Sequence, residues 1–156
     1  MATEVKPVPD GRSALTPYLT VSNGAKAIEF YQKAFGAIEE MRMAAPDGKI
    51  GHAELKIGPA RFMLSDEYPE MGVRSPESIG GSPVTLHLYV EDVDATFAQA
   101  VAAGAKVVRP VEDQFYGDRA GKLVDPFGHS WFLATHKEDI AVDELKRRAE
   151  KLFGQG

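Results

Sequence analysis

The hydrophobic and polar positions of the chain follow one pattern twice. The segments PYLTVSNGAKAIEFYQKAFGA, from Pro17, and LHLYVEDVDATFAQAVAAGAK, from Leu86, each alternate as a strand, change to helical spacing and close on a glycine. Each is followed by a turn-rich stretch with an aromatic strand, GPARFML in the first copy and DPFGHSWFL in the second. Two copies about 69 residues apart are too few for a solenoid and indicate a pseudo-symmetric domain.

The first copy predicts one strand, one helix and three more strands. Apolar and polar residues alternate over 15–21, and helical spacing then runs over 24–35 until Gly36 ends the helix. The dipeptide Asp47-Gly48 is a strong hairpin signal between the next two strands. Gly58-Pro59 predicts a second turn, which leads into the strand ARFMLS.

The second copy repeats this order. The strand VTLHLYV leads to a helix that is capped by Asp92 or Asp94 and ends at Gly104, and three strands follow. The last two strands are joined by DPFG, with proline second and glycine fourth as in a type I turn. In the last strand, parity assigns Trp131 to the core and Phe132 to the opposite face.

These elements predict an α+β fold in which two tandem βαβββ modules form a curved mixed sheet around a cleft, with an amphipathic C-terminal helix. The length favours a single domain. Between the modules, a Pro, Gly and Ser-rich stretch without periodicity predicts a loop. The predicted segments are a flexible tail (1–13), module one (14–66), a linker loop (67–83), module two (84–137) and the final helix (138–156).

The composition excludes several classes of function. The formal net charge is −5, and the single cluster of Lys and Arg alternates with Glu near the C-terminus, so we expect no nucleic-acid partner. Without cysteine, the chain has neither disulfides nor thiolate metal ligands. No apolar run approaches membrane-spanning length, and the N-terminus lacks the basic and apolar blocks of a signal peptide. We therefore expect a cytoplasmic protein without a membrane partner.

One face of the predicted strands is too polar and aromatic for a dry core. Because successive strand residues point to opposite faces, the apolar positions pack on the helices while the others line a cleft. The residues on that second face are Thr16, Tyr18, Thr20, His52, Glu54, Thr85, His87 and Tyr89.

The repeated βαβββ unit, with AIEFYQKAFGA, GHAELKIG, HLYVEDVDA and above all YGDRAGKLVDPFGHSWFLATH, resembles the vicinal-oxygen-chelate superfamily. This superfamily includes glyoxalase I, bleomycin-resistance proteins, fosfomycin-resistance enzymes and extradiol dioxygenases. The chain is most similar to its PhnB-like branch of glyoxalase/bleomycin-resistance proteins. The resemblance implies the glyoxalase/bleomycin-resistance/dihydroxybiphenyl dioxygenase fold rather than one activity, because one fold hosts many chemistries.

The resemblance also implies a metal site, whose usual ligands this sequence lacks. Metal-dependent members place a His on the first strand of each module and Glu on the last strands. Those positions here carry Thr16, Thr85, Phe132 and either Phe62 or Leu64. Hydroxyl and apolar side chains cannot replace the carboxylate, imidazole or thiolate donors that hold a divalent cation. We therefore expect no metal cofactor there, which argues against a glyoxalase reaction that depends on one.

A different set of donors is His52, Glu54 and His87. His52 and Glu54 lie two apart on one strand and so share a face, and His87 shares the face of Thr85. Three such side chains would form an atypical site for a divalent metal or an acid–base site. The alternative, which we favour, is that they line a polar pocket as hydrogen-bonding groups.

The segment from Tyr116 to Arg119 is predicted to be a loop that reaches the mouth of the cleft. Arg119 would clamp a carboxylate or phosphate with its planar guanidinium, and Asp118 would accept a hydrogen bond or act as a base. An equally good interpretation is that Arg119 pins the loop through an ion pair with Asp118 or Asp125.

Two functions of different classes follow. The first, which we favour, is a metal-free protein that sequesters an aromatic or anionic small molecule, as bleomycin-resistance proteins do. The second is an enzyme of the superfamily, a lyase, isomerase or dioxygenase, that uses His52, Glu54, His87 or Asp118. The family resemblance also implies a homodimer. The predicted ligand-binding residues are Tyr18, Thr20, Phe62, Tyr89, Tyr116, Arg119 and Phe132.

Overall fold

The computed structural model describes residues 4–154 and shows two compact units, with the division after Ile79. Each unit holds one βαβββ repeat, and its strands form one four-stranded mixed sheet, which confirms the predicted α+β fold. The elements in chain order are β1 (Tyr18–Val21), α1 (Gly24–Phe35), β2 (Ile38–Ala44), β3 (Ile50–Ile57), β4 (Ala60–Asp66), α2 (Pro76–Ile79), β5 (Thr85–Tyr89), α3 (Val93–Ala103), β6 (Lys106–Asp113), β7 (Asp118–Val124), β8 (Ser130–His136) and α4 (Val142–Phe153).

The first sheet has the strand order β1–β4–β3–β2. β1 pairs with β4 in parallel, and the other two pairings are antiparallel. The parallel register places Tyr18 opposite Met63 and Thr20 opposite Ser65. Because partners in register point to the same side of a sheet, these four side chains share one face.

The other face of the first sheet packs on α1. Asn23 caps α1 by accepting a hydrogen bond from the backbone N–H of Lys26 (3.1 Å), and Gly36, with φ 66°, ends it where the sequence predicts. Helical spacing then gives α1 one apolar stripe, which is buried against the strands. The largest members of this core include Val21, Ile28, Tyr31, Ile50, Leu55, Phe62 and Leu64.

The second sheet has the matching order β5–β8–β7–β6, with β5 parallel to β8. Its register places His87 opposite Phe132. β6 lies at the edge and contains Pro110, which an edge strand tolerates because one side of the strand needs no ladder hydrogen bonds.

A second core lies between this sheet and α3. Asp92 caps α3 by accepting from the backbone N–H of Ala95 (3.1 Å), and Gly104 ends the helix as predicted. Trp131 is 3% exposed, which confirms its assignment to the core. Its neighbours in this core include Leu88, Val93, Phe97, Ala100, Leu123 and Leu133.

β1 and the linker differ from their predicted forms. β1 begins at Tyr18 rather than at residue 15, because Pro17 has no N–H and contributes only its carbonyl, which accepts from the backbone N–H of Met63 (2.9 Å). The linker is not a plain loop, since it contains a 3₁₀ turn (Pro69–Met71) and α2.

The C-terminal helix begins at Val142 rather than at residue 138. The preceding residues are held away from helical geometry, because the backbone N–H groups of Lys137 and Glu138 both donate to the carbonyl of Gly117 (2.9 and 3.1 Å). Residues 1–3 of the predicted tail and 155–156 of the predicted helix lie outside the described residues. No helix within 4–154 is both long and apolar enough to cross a membrane.

Candidate ligand-binding site

A cavity of about 450 Å³ lies against the polar face of the first sheet. Small-molecule sites typically enclose about 300–1,000 Å³ and combine apolar walls with a few polar groups. Strands β1, β3 and β4 form one side of the cavity, and residues 68–73 form the other. The lining residues, all uncharged, are Tyr18, Thr20, Gly51, Ser65, Tyr68, Met71 and Val73.

Residues 68–73, here called the 68–73 loop, are folded back on themselves. Tyr68 and Val73 exchange two backbone hydrogen bonds (2.8 and 3.1 Å) around the 3₁₀ turn. The carboxylate of Glu67 accepts from the backbone N–H of Ser75 (2.7 Å) and from the hydroxyl of Ser78. The residues just before the loop are therefore tied to those just after it.

Tyr18, His52 and Glu54 form a hydrogen-bonded chain beside the cavity. The Tyr18 hydroxyl oxygen is 2.7 Å from His52 Nδ1, and His52 Nε2 is 3.4 Å from Glu54 Oε2. An ionised carboxylate can only accept, so in a neutral imidazole Nε2 carries the proton and Nδ1 accepts from the Tyr18 hydroxyl. The other Glu54 oxygen is paired with the guanidinium of Arg12, from the segment expected to be a tail.

The protonation states of this chain follow from its contacts. A hydrogen bond from Arg12 lowers the pKa of Glu54, and the contact with His52 adds to the effect. Burial raises the pKa of Tyr18, against a smaller opposing effect of Ser65, and the charge of Glu54 raises it further. At neutral pH, Glu54 is therefore ionised and Tyr18 is protonated.

A cluster of aromatic rings lies on the polar face of the second sheet. The His87 ring centroid is 4.8 Å from that of Tyr89 and 5.1 Å from that of Phe132. The Tyr89 hydroxyl donates to Asp118 Oδ2 (2.8 Å), and this hydrogen bond raises the pKa of Tyr89. Tyr89, Phe132 and Asp118 thus share a face, which was predicted for Tyr89 and Phe132 but not for Asp118, because its segment was expected to be a loop.

His136, at the end of β8, lies between two carboxylates. Its Nδ1 is 2.7 Å from Asp118 Oδ1, and its Nε2 is 2.7 Å from Asp139 Oδ1. Each ring nitrogen faces a carboxylate oxygen, which can only accept a hydrogen bond. The geometry therefore fits the imidazolium form, in which both nitrogens carry a proton and donate. Hydrogen bonds to Asp118 and then to Asp139 accordingly raise the pKa of His136.

A cavity of about 520 Å³ adjoins this cluster, but its chemistry is unlike that of the first. Its charged side chains include Asp113 and Glu138, which are paired with Arg119 and Arg148. It offers no aromatic ring for stacking. We therefore take the first cavity as the candidate ligand site. The lining residues of the second are Asp113, Gln114, Gly117, Asp118, Lys137 and Glu138.

Arg119 is a brace rather than part of the face that carries Asp118. Both residues open β7, where neighbours point to opposite sides of the sheet. Arg119 Nε and Nη2 donate to the two oxygens of Asp94 on α3 (2.8 and 3.0 Å), and Nη1 donates to Asp113 (3.2 Å). The ion pair anticipated with Asp118 or Asp125 is thus made with other partners.

Phe62 does not lie on the polar face, contrary to its predicted ligand role. It is 4% exposed and packs edge-on against Tyr31 of α1, at 5.3 Å between ring centroids. Its cross-strand partner is Leu55, also in the core. Tyr116 is half-buried against Phe115, at 5.3 Å between ring centroids, in the turn that precedes β7.

Several residues of the site were missed in the sequence. Ser65 could have been found, because it lies two positions from Met63 on β4 and therefore shares the face of Tyr18. Tyr68 and Met71 stand in a segment without periodicity, and the sequence carries no signal that it folds against a strand face. Arg12 likewise lies outside every predicted element.

Within residues 4–154, no group of three or more His, Asp or Glu side chains is placed to hold a metal ion. His52 and Glu54 lie together on β3, as their spacing predicts. His87 is in the second unit, where its ring contacts Tyr89 and Phe132.

Known proteins similar to this chain share its whole repeat. A family model described as "Glyoxalase/Bleomycin resistance protein/Dioxygenase superfamily" matches residues 14–133. An uncharacterized protein of Mycobacterium bovis is 48% identical over 149 residues, which is 94% of each chain.

Solved structures match as well. The X-ray structure of a gene product from Arabidopsis thaliana has a TM-score of 0.63 and 32% sequence identity, covering 79% of this chain and 98% of that one. A PhnB protein from Bacillus cereus has a TM-score of 0.61 at 20% identity, covering 79% of this chain and 99% of that one, and so shares the fold.

Proposed function

The chain belongs to the glyoxalase/bleomycin resistance protein/dioxygenase superfamily, and we propose that it binds a small planar molecule in the 450 Å³ cavity without a resident metal ion. The observation that carries this proposal is the composition of the cavity wall. The rings of Tyr18 and Tyr68 offer stacking surfaces, and the hydroxyls of Thr20 and Ser65 fix orientation by hydrogen bonding.

The donor chemistry supports a site without a metal. The cavity positions on β1 and β4 carry Tyr18, Thr20 and Ser65, whose neutral hydroxyls are poor ligands for the divalent ions that metal-dependent relatives hold. The imidazole and carboxylate on the same face, His52 and Glu54, are already hydrogen-bonded to their neighbours. The residues present therefore do not fit the family's metal site.

A cavity-filling variant tests the proposed site. Thermal shift and equilibrium dialysis with a panel of planar aromatic compounds identify binders of the wild-type chain. Thr20→Phe fills the cavity and is expected to weaken their binding by about tenfold or more, since the ligand and the new ring compete for one volume. Val142→Phe, at the exposed first position of α4, is the matched control and leaves binding unchanged. Equal affinity in Thr20→Phe would exclude this cavity.

A second candidate is an enzyme that moves a proton in the same cavity. The observation that favours it is the chain of hydrogen bonds from Tyr18 through His52 to Glu54, in which one group orients the next. Incubation of each binder with the protein, followed by mass spectrometry and NMR, distinguishes the candidates. A chemically unchanged ligand supports binding alone; turnover that falls about 10²–10⁴-fold in His52→Gln supports acid–base catalysis.

The homodimer and the cytoplasmic location are further parts of the proposal. Apolar side chains such as Ile38, Val107 and Val108 are more than half exposed on the outer strands β2 and β6, and a second copy would cover such surface. Light scattering is expected to give twice the chain mass of 17.0 kDa. A mass of one chain at micromolar concentration would contradict the dimer. Cell fractionation tests the location.

A further inference from the structure

We propose that the cavity selects a planar weak acid, a phenol or an enol, and holds it as its anion while His52 keeps the proton. This inference deepens the proposed function and rests on it. It follows from the direction of the hydrogen bonds around the cavity and from the charges behind them.

Two hydroxyl oxygens of the cavity wall, those of Tyr18 and Ser65, present lone pairs to a ligand. A phenol has one proton to donate, and the Tyr18 hydroxyl gives it to His52 Nδ1, 2.7 Å away. The Ser65 hydroxyl has one proton, which it gives to the backbone carbonyl of Asp66 (3.0 Å) or to the Tyr18 oxygen, and in either case the Ser65 oxygen keeps its lone pairs. Both oxygens can still accept, so a ligand that satisfies them must donate. An acidic hydroxyl on a planar ring does this while the ring stacks on tyrosine.

The same contacts provide a path for the ligand's proton. The ligand O–H bond breaks as its proton passes to the Tyr18 oxygen, and the original Tyr18 proton passes to His52 Nδ1. The ligand becomes an anion, Tyr18 is regenerated as a neutral phenol, and His52 becomes an imidazolium. Glu54, paired behind it with Arg12, is the carboxylate that stabilises this cation. No other reactant is needed.

The acidity of the ligand decides whether the transfer occurs. Imidazole side chains ordinarily titrate near pH 6.5 and tyrosine-like phenols near pH 10, so an ordinary phenol keeps its proton. Only phenols or enols made acidic by an electron-withdrawing group match an imidazole acceptor. The uncharged cavity lining adds no carboxylate to repel the resulting anion.

The probe is 4-nitrophenol, a planar phenol far more acidic than tyrosine, whose anion has its own visible absorbance band. Equilibrium dialysis at pH 7, above the ordinary imidazole value of about 6.5, measures binding, and the spectrum of the protein compartment after subtraction of the free-probe spectrum gives the protonation state of the bound probe. For the wild type we expect saturable binding with the phenolate band. In Tyr18→Phe and in His52→Gln, we expect loss of the band and affinity weaker by about fivefold or more, as for one lost hydrogen bond.

His129→Gln is the matched control, because it removes an imidazole of the second unit that does not line the cavity; it should keep the band. Unchanged melting temperatures show that the variants fold. A probe bound in its neutral form by the wild type, a band that persists in His52→Gln, or no saturable binding would overturn the inference. The proposed function is contradicted by a different result, in which Thr20→Phe binds every compound of the planar panel as tightly as the wild type does.

Discussion

At the scale of single residues, Asp125 shows how one carboxylate sets the geometry of a turn. Its Oδ1 accepts from the backbone N–H groups of Phe127 (2.9 Å) and His129 (3.0 Å), and its Oδ2 accepts from the indole N–H of Trp131 (2.9 Å). Asp125 is only 4% exposed. The DPFG turn and the buried indole therefore depend on the same side chain.

Asp125→Ala is expected to lower the free energy of unfolding by about 3 kcal/mol, because buried donors lose a charged acceptor that water cannot replace. Asp47→Ala is the matched control. Asp47 stands in the hairpin turn of the first repeat, where it accepts from Lys49 N in an exposed setting, and its loss should cost about 0.5 kcal/mol or less. Urea unfolding measures both. Similar losses in the two variants would contradict the role given to Asp125.

Residue by residue, the sequence predicted faces well where a strand was correctly located. Tyr18 and Thr20 on β1, and Trp131 and Phe132 on β8, lie on the faces that alternation assigns. The face of Arg119 was not predicted, because its strand was taken for a loop. In a loop, neighbouring side chains do not alternate between two faces. The prediction for Phe62 was wrong because it followed the alignment with the family. The alternation of apolar and polar residues along its strand would have placed Phe62 in the core.

At the scale of elements, Gly117 joins the turn before β7 to the segment that leads into α4. Its φ is 97°, and a Cβ added there would lie 2.5 Å from the carbonyl oxygen of Glu138. The close approach allows the Gly117 carbonyl to accept from Lys137 N and Glu138 N. The start of α4 was mispredicted for this reason. The contact of Gly117 with Lys137 and Glu138 joins residues far apart in sequence, so it does not alter the helical spacing of apolar residues from which the start was predicted.

Gly117→Ala is expected to lower the free energy of unfolding by about 3 kcal/mol, from left-handed strain and from the clash with a backbone atom. Gly48→Ala separates these causes. Gly48 has φ 88° and no atom within 4 Å of an added Cβ, so its substitution costs the strain alone, about 1 kcal/mol. Thermal and urea unfolding compare the two. Equal costs would show that the contact with Glu138 is unimportant.

The 68–73 loop is expected to depend on Glu67. Hydrogen bonds from Ser78 and Ser75 lower the pKa of Glu67, so the carboxylate is ionised at neutral pH and accepts from both. Glu67→Ala should speed amide hydrogen exchange of residues 68–79 by about tenfold, the effect of losing charge-assisted hydrogen bonds. Glu77→Ala, exposed on α2, is the control. Unchanged exchange in Glu67→Ala would show that other contacts hold the loop.

For the whole molecule, the repeat predicted the architecture, but one wall of the ligand site could not be predicted from it. Strand alternation located Tyr18, Thr20, His52 and Glu54. The opposite wall belongs to the linker, whose side chains carry no period and reach the cavity only through turns and the Glu67 contacts. A periodic pattern arises when residues at regular intervals are buried on one side of a helix or strand. An irregular segment such as the linker has no such pattern, so its position cannot be predicted in this way.

The charge pairs of both units should give the chain a stability maximum between about pH 4.5 and pH 6.5. Arg12 lowers the pKa of Glu54, and Arg61 lowers the pKa of Glu40, each from an ordinary value of 4.5. A carboxyl with a lowered folded-state pKa stabilises the protein above its unfolded-state pKa. That contribution is lost as the pH falls through the folded-state value, which defines the acid limb.

His136 defines the alkaline side of the curve of stability against pH. Asp118 and then Asp139 raise its pKa above the ordinary 6.5, so the imidazolium binds its proton more tightly in the folded chain than in the unfolded one. The resulting stabilisation is complete below pH 6.5 and is lost as the pH rises through the raised folded-state pKa. Urea unfolding of the wild type from pH 6 to pH 9 should therefore show falling stability. His136→Gln should flatten this limb, and Asp139→Asn should shift it to lower pH; an unchanged slope in His136→Gln would assign the limb to another group.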